Sequence, residues 1–406
     1  MHVMFINPGF PAQFGTLANQ LATEMRWPVT FVTTTDTRHL SLPFSRITYA
    51  VKSPPPPPGP NNPGNLQLLF EHMQAVYDAL KARPQVKPDL VVGHMFYGTM
   101  LYLRNLYRCP FVGYFDWLPP PFWSDEFAFR PEFPPPENVR LLHSLCHTFK
   151  YLHMHAVDAI YTPTHYQLST LPQEMRHKTR VVFDGMDTNL FQRRPIPRPA
   201  SFRGLTFGPN TKIVSFASHG LESVRGFDIF MRMAKRIYRE IDDVVFLIAG
   251  KDETCYGHER YHLGAQTFKQ YVLSRDNYDL KRFHFLGWVS IEDLISLFSL
   301  SDLHVYLTVP FVLSWSLVEA MSAECTILGS ATPPVQEAID HGVHGLLADF
   351  YDVDGLTRQA LDALRDPSRF RHLGAAARAR VQERWETKHC LTQLVQLFEE
   401  VVGSKG

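Results

Sequence analysis

The chain has no surplus of charge of either sign. Lys+Arg and Asp+Glu both number 40 in 406 residues, so composition gives no general attraction to nucleic acid or to an anionic surface. Nucleic acid is unsupported as a partner on this ground, although a local basic face stays open. No apolar run reaches about 18 residues, so no membrane span is expected. The five cysteines (Cys109, Cys146, Cys255, Cys325, Cys390) are far apart and form no CxxC pair. That argues against a disulfide framework and fits reduced thiols in a cytoplasmic protein. Met1 runs straight into the strand-like HVMFIN, so no signal peptide is expected. A GxGxxG fingerprint is also absent, which disfavours a dehydrogenase.

What the chain does have is a strand–helix alternation that stops and restarts. Strands are expected at Val3–Asn7, Val29–Thr33, Asp89–Gly93, Pro110–Phe115, Ala159–Thr162 and Thr179–Phe183, with helices at Thr16–Met25 and Leu66–Ala82. After the Pro- and Arg-rich stretch Arg193–Gly204, strands recur at Lys212–Ser215, Val244–Ala249, Phe283–Leu286, Leu303–Leu307 and Thr326–Gly329. A long helix follows from Pro367 to near Val402. The expectation is α/β with two doubly wound Rossmann-like domains facing a cleft, with ligands at the carboxyl ends of the strands. The divisions are 1–190, a linker at 191–205, 206–385, and a C-terminal helix at 386–406 whose return to the first domain is left open. Ser53–Gly64, with seven prolines, is a rigid surface excursion. Trp117–Asn138, rich in proline and aromatics, reads as an ordered loop lying over the cleft.

Five segments carry candidate chemistry, each beside a plainer structural reading. In PGFPAQFG (8–15), Gly9 and Gly15 flank a strand-to-helix turn where backbone could approach a phosphate or sugar. In GHMFYG (93–98), His94 ends a strand and could take part in proton transfer. In SHGLESVRGF (218–227), Arg225 precedes a helix and suits a diphosphate. In FHFLGWVSIEDL (283–294), the backbone at Trp288–Val289 could pair with a base edge. In VPFVLSWSLVEAM (309–321), Ser314 and Ser316 cap a helix whose N-terminus favours an anion. There Glu319, set among apolar neighbours, could accept bonds from a ribose. HTFKYLHMH (147–155) suggests zinc by composition, but it reads better as a half-buried helix face. Arg193, Arg194, Arg198 and Arg203 form a basic patch, read as solvated or close to an anionic membrane.

These motifs resemble a GT-B glycosyltransferase of the large retaining GT4 family, and the resemblance covers nearly the whole chain. FDGMDTNLF (183–191) resembles that family's NGVD-x-x-x-F. SHGLESVRGF is similar to its R-x-x-x-x-K-G, with His219 in the arginine's place and Arg225 in the lysine's. LVEAMSAECTILGSATPPVQEAI resembles its EAMA-x-G-x-P-V…G-x-x-E-x-I, with Glu324 where glycine is usual. NPGFPAQF and FRPEFPPP resemble a bacterial subgroup, here with the motif PFVLSWSLVEAM. Of the family's two glutamates separated by seven residues, Glu319 matches the second, and Phe311 stands at the first.

The resemblance implies transfer of a sugar from a UDP- or GDP-linked donor to an unidentified acceptor, without a metal or other cofactor. It implies catalytic roles for His94, Arg225 and Glu319. Donor contacts would come from Gly9, His219, Arg225, Gly250, Trp288, Val289, Phe311, Ser314, Trp315, Ser316 and Glu319. Acceptor contacts would come from Phe10, Gln13, Asp116 and Trp117. A protonated His219 could restore the missing arginine's charge. Two other functions stay open: a degenerate nucleotide-sugar-binding protein, motivated by Phe311, and an epimerase needing no acceptor.

Overall fold

The computed structural model describes every residue except 53–63, 96–98, 119–128 and 405–406. Its contacts separate into two compact units that do not follow chain continuity. The first holds the described part of Met1–Phe127, together with Pro136–Asp184 and Lys388–Gly406; the second holds Gly185–Thr387 and residues 129–135.

In the first unit the elements are β1 (Val3–Ile6), α1 (Gly15–Thr23), β2 (Val29–Thr33), β3 (Ser45–Thr48), α2 (Gly64–Lys81), β4 (Leu90–His94), β5 (Phe111–Tyr114), α3 (Glu137–Ala156), β6 (Ala159–Thr162), α4 (His165–Ser169) and β7 (Thr179–Val181). Strands β1, β2, β4, β5 and β6 are buried along their whole length. Apolar runs of this kind suit a parallel sheet covered on both faces. The sheet is parallel in the order β3-β2-β1-β4-β5-β6-β7.

The second unit opens with a small hairpin, β8 (Ala200–Phe202) and β9 (Leu205–Phe207), inside the stretch expected to be linker. Its two-residue turn puts both Arg203 and Gly204 at positive φ, 49° and 81°. That geometry matches the twist of paired strands, and it prevails over the proline-rich composition. Then come β10 (Lys212–Gly220), α5 (Phe227–Glu240), β11 (Val244–Lys251), α6 (Phe268–Arg275), β12 (Phe283–Gly287), α7 (Ile291–Leu300), β13 (Leu303–Tyr306), α8 (Trp315–Ser322), β14 (Ile327–Ser330), α9 (Pro333–Ala338), β15 (Leu346–Ala348), α10 (Val353–Arg365) and α11 (Pro367–Arg384). Its sheet runs β12-β11-β10-β13-β14-β15, all parallel. Both sheets therefore share a strand order that reverses beside the first strand, which makes a crevice at the strands' carboxyl ends.

The expected single C-terminal helix is two, α11 and α12 (Thr387–Gly403). The break falls where Met186 pairs with the chain: its N–H donates to Trp385 O at 2.7 Å, and its carbonyl accepts from Thr387 N at 3.0 Å. A strand-like partner at Trp385–Glu386 takes backbone groups that a continuous helix would need.

The expected basic patch is not free either. Arg194 pairs with Glu292, Arg198 with Asp302 at 2.9 Å, and Arg203 lies 3.9 Å from Asp293. Arg193 donates to Glu324 O at 3.4 Å. The four arginines fasten the hairpin and its approach to the second unit, and Arg193 and Arg203 stay exposed, in keeping with the solvated reading.

Candidate active site

In the second unit, the crevice between β10 and β13 gathers most of the expected donor residues. β10 leads into a short turn, Ser223–Arg225, and then Gly226 at φ 64°. A Cβ on Gly226 would come within 2.8 Å of Leu307 Cβ and 3.0 Å of the Phe350 ring. Glycine is therefore needed for both conformation and space. The turn delivers Arg225 into the interior, where it is 6% exposed. Its Nη1 donates to Thr308 Oγ1 at 2.9 Å, Val312 O at 3.3 Å and Tyr306 Oη at 3.4 Å. Tyr306 Oη also accepts from Ser314 N at 3.1 Å. One guanidinium thus ties the loop after β10 to the loop that opens α8.

Ser314 caps α8. Its Oγ accepts from Ser316 N at 3.3 Å and lies 2.9 Å from Ser316 Oγ. Glu319, one turn into α8, is half-buried, and its carboxylate has no hydrogen bond or ion pair among the described residues. Burial pushes its carboxyl up to about 7. A carboxylate held partly out of water without a partner is suited to accept bonds from a ligand's hydroxyls.

An aromatic row borders Arg225. Its guanidinium lies 5.2 Å from the Phe311 ring centre and 5.7 Å from that of Tyr256. The rings of Tyr256 and Phe311 are 5.2 Å apart, Tyr256 and His219 6.3 Å, and His219 and Trp288 5.4 Å. Trp288 is 62% exposed, with Lys251 Nζ 5.3 Å from its ring centre. Gly250, at φ 150°, sits where a Cβ would meet Ser218 O at 2.7 Å, so its backbone passes close under the end of β10. Val289 is half-buried beside Trp288, and Trp315 is exposed at the start of α8.

One expectation here needs correction. His219 and Arg225 have five residues between them, one more than the R-x-x-x-x-K spacing. The sheet absorbs the extra residue: β10 pairs Ala217 with Ala249 and Gly220 with Lys251, three steps against two. The pKa of His219 is held below the ordinary value, by burial first and by the charge of Lys251 next. Lys251 itself, which sequence reasoning missed, is the cation on that side.

His219, Glu253 and Cys255 keep their donor atoms within 4.8 Å of one another and are the described residues that could hold a metal ion. Their chemistry does not suit one. Lys251 Nζ already lies 3.2 Å from Glu253. Burial and then the charges of Glu222 and Glu253 push the Cys255 thiol up to about 12, away from the thiolate that binds metals.

In the first unit, the expected residues collect at the same kind of crevice. Asn7, at the end of β1, accepts from Gly9 N at 3.0 Å and donates to Gln13 at 3.2 Å. Gly9 is exposed, and a Cβ there would make only ordinary contacts, so no steric need for glycine is visible. Phe10 turns inward, edge-on to Phe31 at 5.0 Å. His94 ends β4, is 3% exposed, and its Nε2 lies 3.8 Å from Asp116 Oδ2. Burial pushes His94 down to about 3, aided by Lys150. Burial also lifts Asp116 to about 6 against the opposing charge of Lys150. At pH 7 this is a neutral imidazole beside a carboxylate, with a half-buried lysine on α3 that sequence reasoning left on a plain helix face. Trp117 is half-buried next to Asp116, whereas residues 96–98 and 119–128, named in the sequence reading, lie outside the described residues.

Two parallel-sheet Rossmann-like units with this strand order define the GT-B fold class. Family models agree in tandem: a glycosyl transferase family 4 group model matches residues 25–191, and the glycosyl transferases group 1 model matches 201–380. The chain belongs to the GT4-like GT-B glycosyltransferases.

Among curated relatives, N-acetyl-alpha-D-glucosaminyl L-malate synthase of Bacillus anthracis is 25% identical over 223 residues. The match spans about half the length of each protein, 55% of this chain and 54% of that one. Sucrose-phosphate synthase from Thermosynechococcus elongatus superposes with a TM-score of 0.75 at 16% identity, covering 100% of both chains. HepE of Anabaena, solved with UDP-glucose, gives 0.68 at 16% identity over 98% of this chain and 100% of its own. Identities this low carry the fold alone. No helix among the described residues is long and apolar enough to cross a membrane.

Proposed function

We propose that the protein transfers a sugar from a nucleoside diphosphate donor to an acceptor hydroxyl with retention of anomeric configuration. The observation that carries this reading is Arg225, a buried guanidinium at the crevice beside the capped start of α8. As the donor's glycosidic bond breaks, negative charge grows on the departing diphosphate. A fixed guanidinium and the positive end of a helix are preorganised to stabilise it. Glu319 holds ribose hydroxyls, and Trp288 with Val289 borders the base. Phe311 and Tyr256 give the donor site an aromatic wall beside Arg225, where a ring's apolar face can pack. In the first unit His94 and Asp116 serve the acceptor, with Asp116 at the acceptor hydroxyl. The nucleotide sugar is a co-substrate, and no step here uses a metal.

UDP-glucose bound to HepE and the hexosaminyl product in the name of the Bacillus relative support a UDP-linked hexose or hexosamine as the first donor class to try. The test is a panel of UDP- and GDP-sugars with mixed acceptors, following nucleoside diphosphate release and reading the product anomer by NMR. Turnover with a retained anomer supports the proposal. Binding without turnover across the panel would favour a degenerate binding protein, and conversion of a donor with no acceptor would favour an epimerase.

A further inference from the structure

Arg225 and Tyr256 are carried by two loops: the turn 220–226 after β10 and the loop 252–259 after β11. Two glutamates cross between these loops in opposite directions. Glu222, in the first, sends its carboxylate into the second. There Oε2 accepts from the backbone N–H of Cys255 at 3.0 Å, Tyr256 at 2.7 Å and Gly257 at 2.9 Å. Glu259, in the second, reaches back. Its Oε1 accepts from Ser223 N at 3.0 Å and Thr254 Oγ1 at 3.1 Å, and its Oε2 from Ser223 Oγ at 2.6 Å. Both glutamates are completely buried.

The carbonyl side of the second loop is held as well. Arg260 donates to Gly257 O and to Cys255 O, both at 3.2 Å. The first loop is also tied to the end of β11, Leu221 N donating to Lys251 O at 2.9 Å. The Tyr256 backbone is thereby fixed from both sides, and its ring meets the Arg225 guanidinium.

Two carboxylates buried side by side are an expensive way to hold loops together. Desolvation and mutual repulsion both oppose it, and Glu222 Oε1 is left buried without a partner. An apolar contact would stabilise more but would fix neither three consecutive amides nor a serine. Buried ionic groups retained against such costs are best explained by the geometry they specify.

We propose that Glu222 and Glu259 are positioning residues of the donor site, a reciprocal clamp that sets the Tyr256 ring against Arg225. The inference rests on the proposed nucleotide-sugar function for its consequence, but its geometry can be tested without any ligand.

The experiment compares wild type with Glu222→Ala, Glu222→Gln, Glu259→Gln and Tyr256→Ala. Hydrogen exchange of residues 253–259 and the side-chain Nε–H resonance of Arg225 report the clamp. Titration with UDP and GDP reports the site. Glu222→Ala is expected to speed exchange at 255–257 by about tenfold or more, shift the Arg225 signal, and weaken nucleotide binding by about tenfold. Glu222→Gln, which keeps an acceptor oxygen, should restore much of both. Tyr256→Ala should weaken binding and leave exchange of the loop unchanged, which separates the ring from the clamp. If Glu222→Ala does not fold, Glu259→Gln supplies the same comparison at Ser223. Unchanged exchange in the glutamate variants, or faster exchange with an unmoved Arg225 signal and unaltered binding, would overturn the proposal. A wild type that binds neither nucleotide would refute the donor-site reading instead, leaving exchange and the Arg225 signal to decide the clamp.

Discussion

Arg225 Nη1 and Thr308 Oγ1 meet at 2.9 Å, which joins the loops after the two strands flanking the crevice of the second unit. The contact is completely buried at Thr308, and Arg225 itself is 6% exposed. Replacing Arg225 by alanine should weaken UDP or GDP binding by about tenfold or more, since hydrogen bonds to charged groups contribute about 1.5–3 kcal/mol. Isothermal titration, with thermal unfolding to confirm folding, checks this. Binding equal to wild type would place the diphosphate elsewhere.

Glu319 makes nucleotide binding depend on pH. Ribose hydroxyls donate to the ionised carboxylate, so affinity should rise as pH increases through about 7, and Glu319→Gln should remove that part of the profile. The linkage to stability has the opposite sign. A folded-state pKa raised above its unfolded value favours the fold at low pH, and this advantage is lost as pH rises from about 4.5 to about 7. Against Glu319→Gln, wild type should therefore lose relative stability between pH 5 and pH 8 in thermal unfolding.

Phe311 places a ring, not a carboxylate, beside Arg225. Its ring centre lies 5.2 Å from the guanidinium, so Phe311→Glu would bring a carboxylate into pairing range and compete with the diphosphate. Phe311→Glu should bind UDP or GDP more weakly than Phe311→Leu, with the difference shrinking in high salt. Equal affinities for the two variants would remove Phe311 from the diphosphate's surroundings.

Glu324 occupies a position whose backbone suits glycine. Its φ is 56°, a left-handed value that costs about 1–2 kcal/mol for other residues. Its carbonyl also lies where a Cβ on Gly374 of α11 would come within 2.3 Å. Glu324→Val should destabilise the protein by about 1–2 kcal/mol, whereas Glu324→Gly should be tolerated without loss. Equal unfolding midpoints for both variants would show that backbone conformation does not govern this site.

Much of this molecule could be read before folding, for identifiable reasons. β1, β2, β4, β10, β11 and β13 are buried apolar runs bounded by polar turns, a pattern with few competing interpretations. β3 was missed because Ser45–Thr48 exposes two of its four residues, and β15 because it has only three residues. Arg225 stood out by its place before a helix, and Glu319 by its apolar neighbours. Tyr306 and Thr308 did not, because hydroxyl groups at a strand's end look like ordinary surface. Glu222, Tyr256 and Glu259 gave no signal at all. Their significance lies in contacts between loops more than 30 residues apart, which no local pattern encodes.

Residues 129–135 leave the first half of the chain to complete the second unit. Arg130 makes a bidentate pair with Asp228, both bonds 2.9 Å, and donates to Ser223 O at 2.7 Å. Phe133 fills part of that unit's hydrophobic core, edge-on to Phe268 at 5.6 Å. Anyone who excises the second unit as a contiguous fragment starting at Gly185 will therefore remove an arginine from a half-buried aspartate and a phenyl ring from the interior. A stand-alone module needs that heptapeptide grafted back, and its solubility with and without the graft measures what the detour supplies.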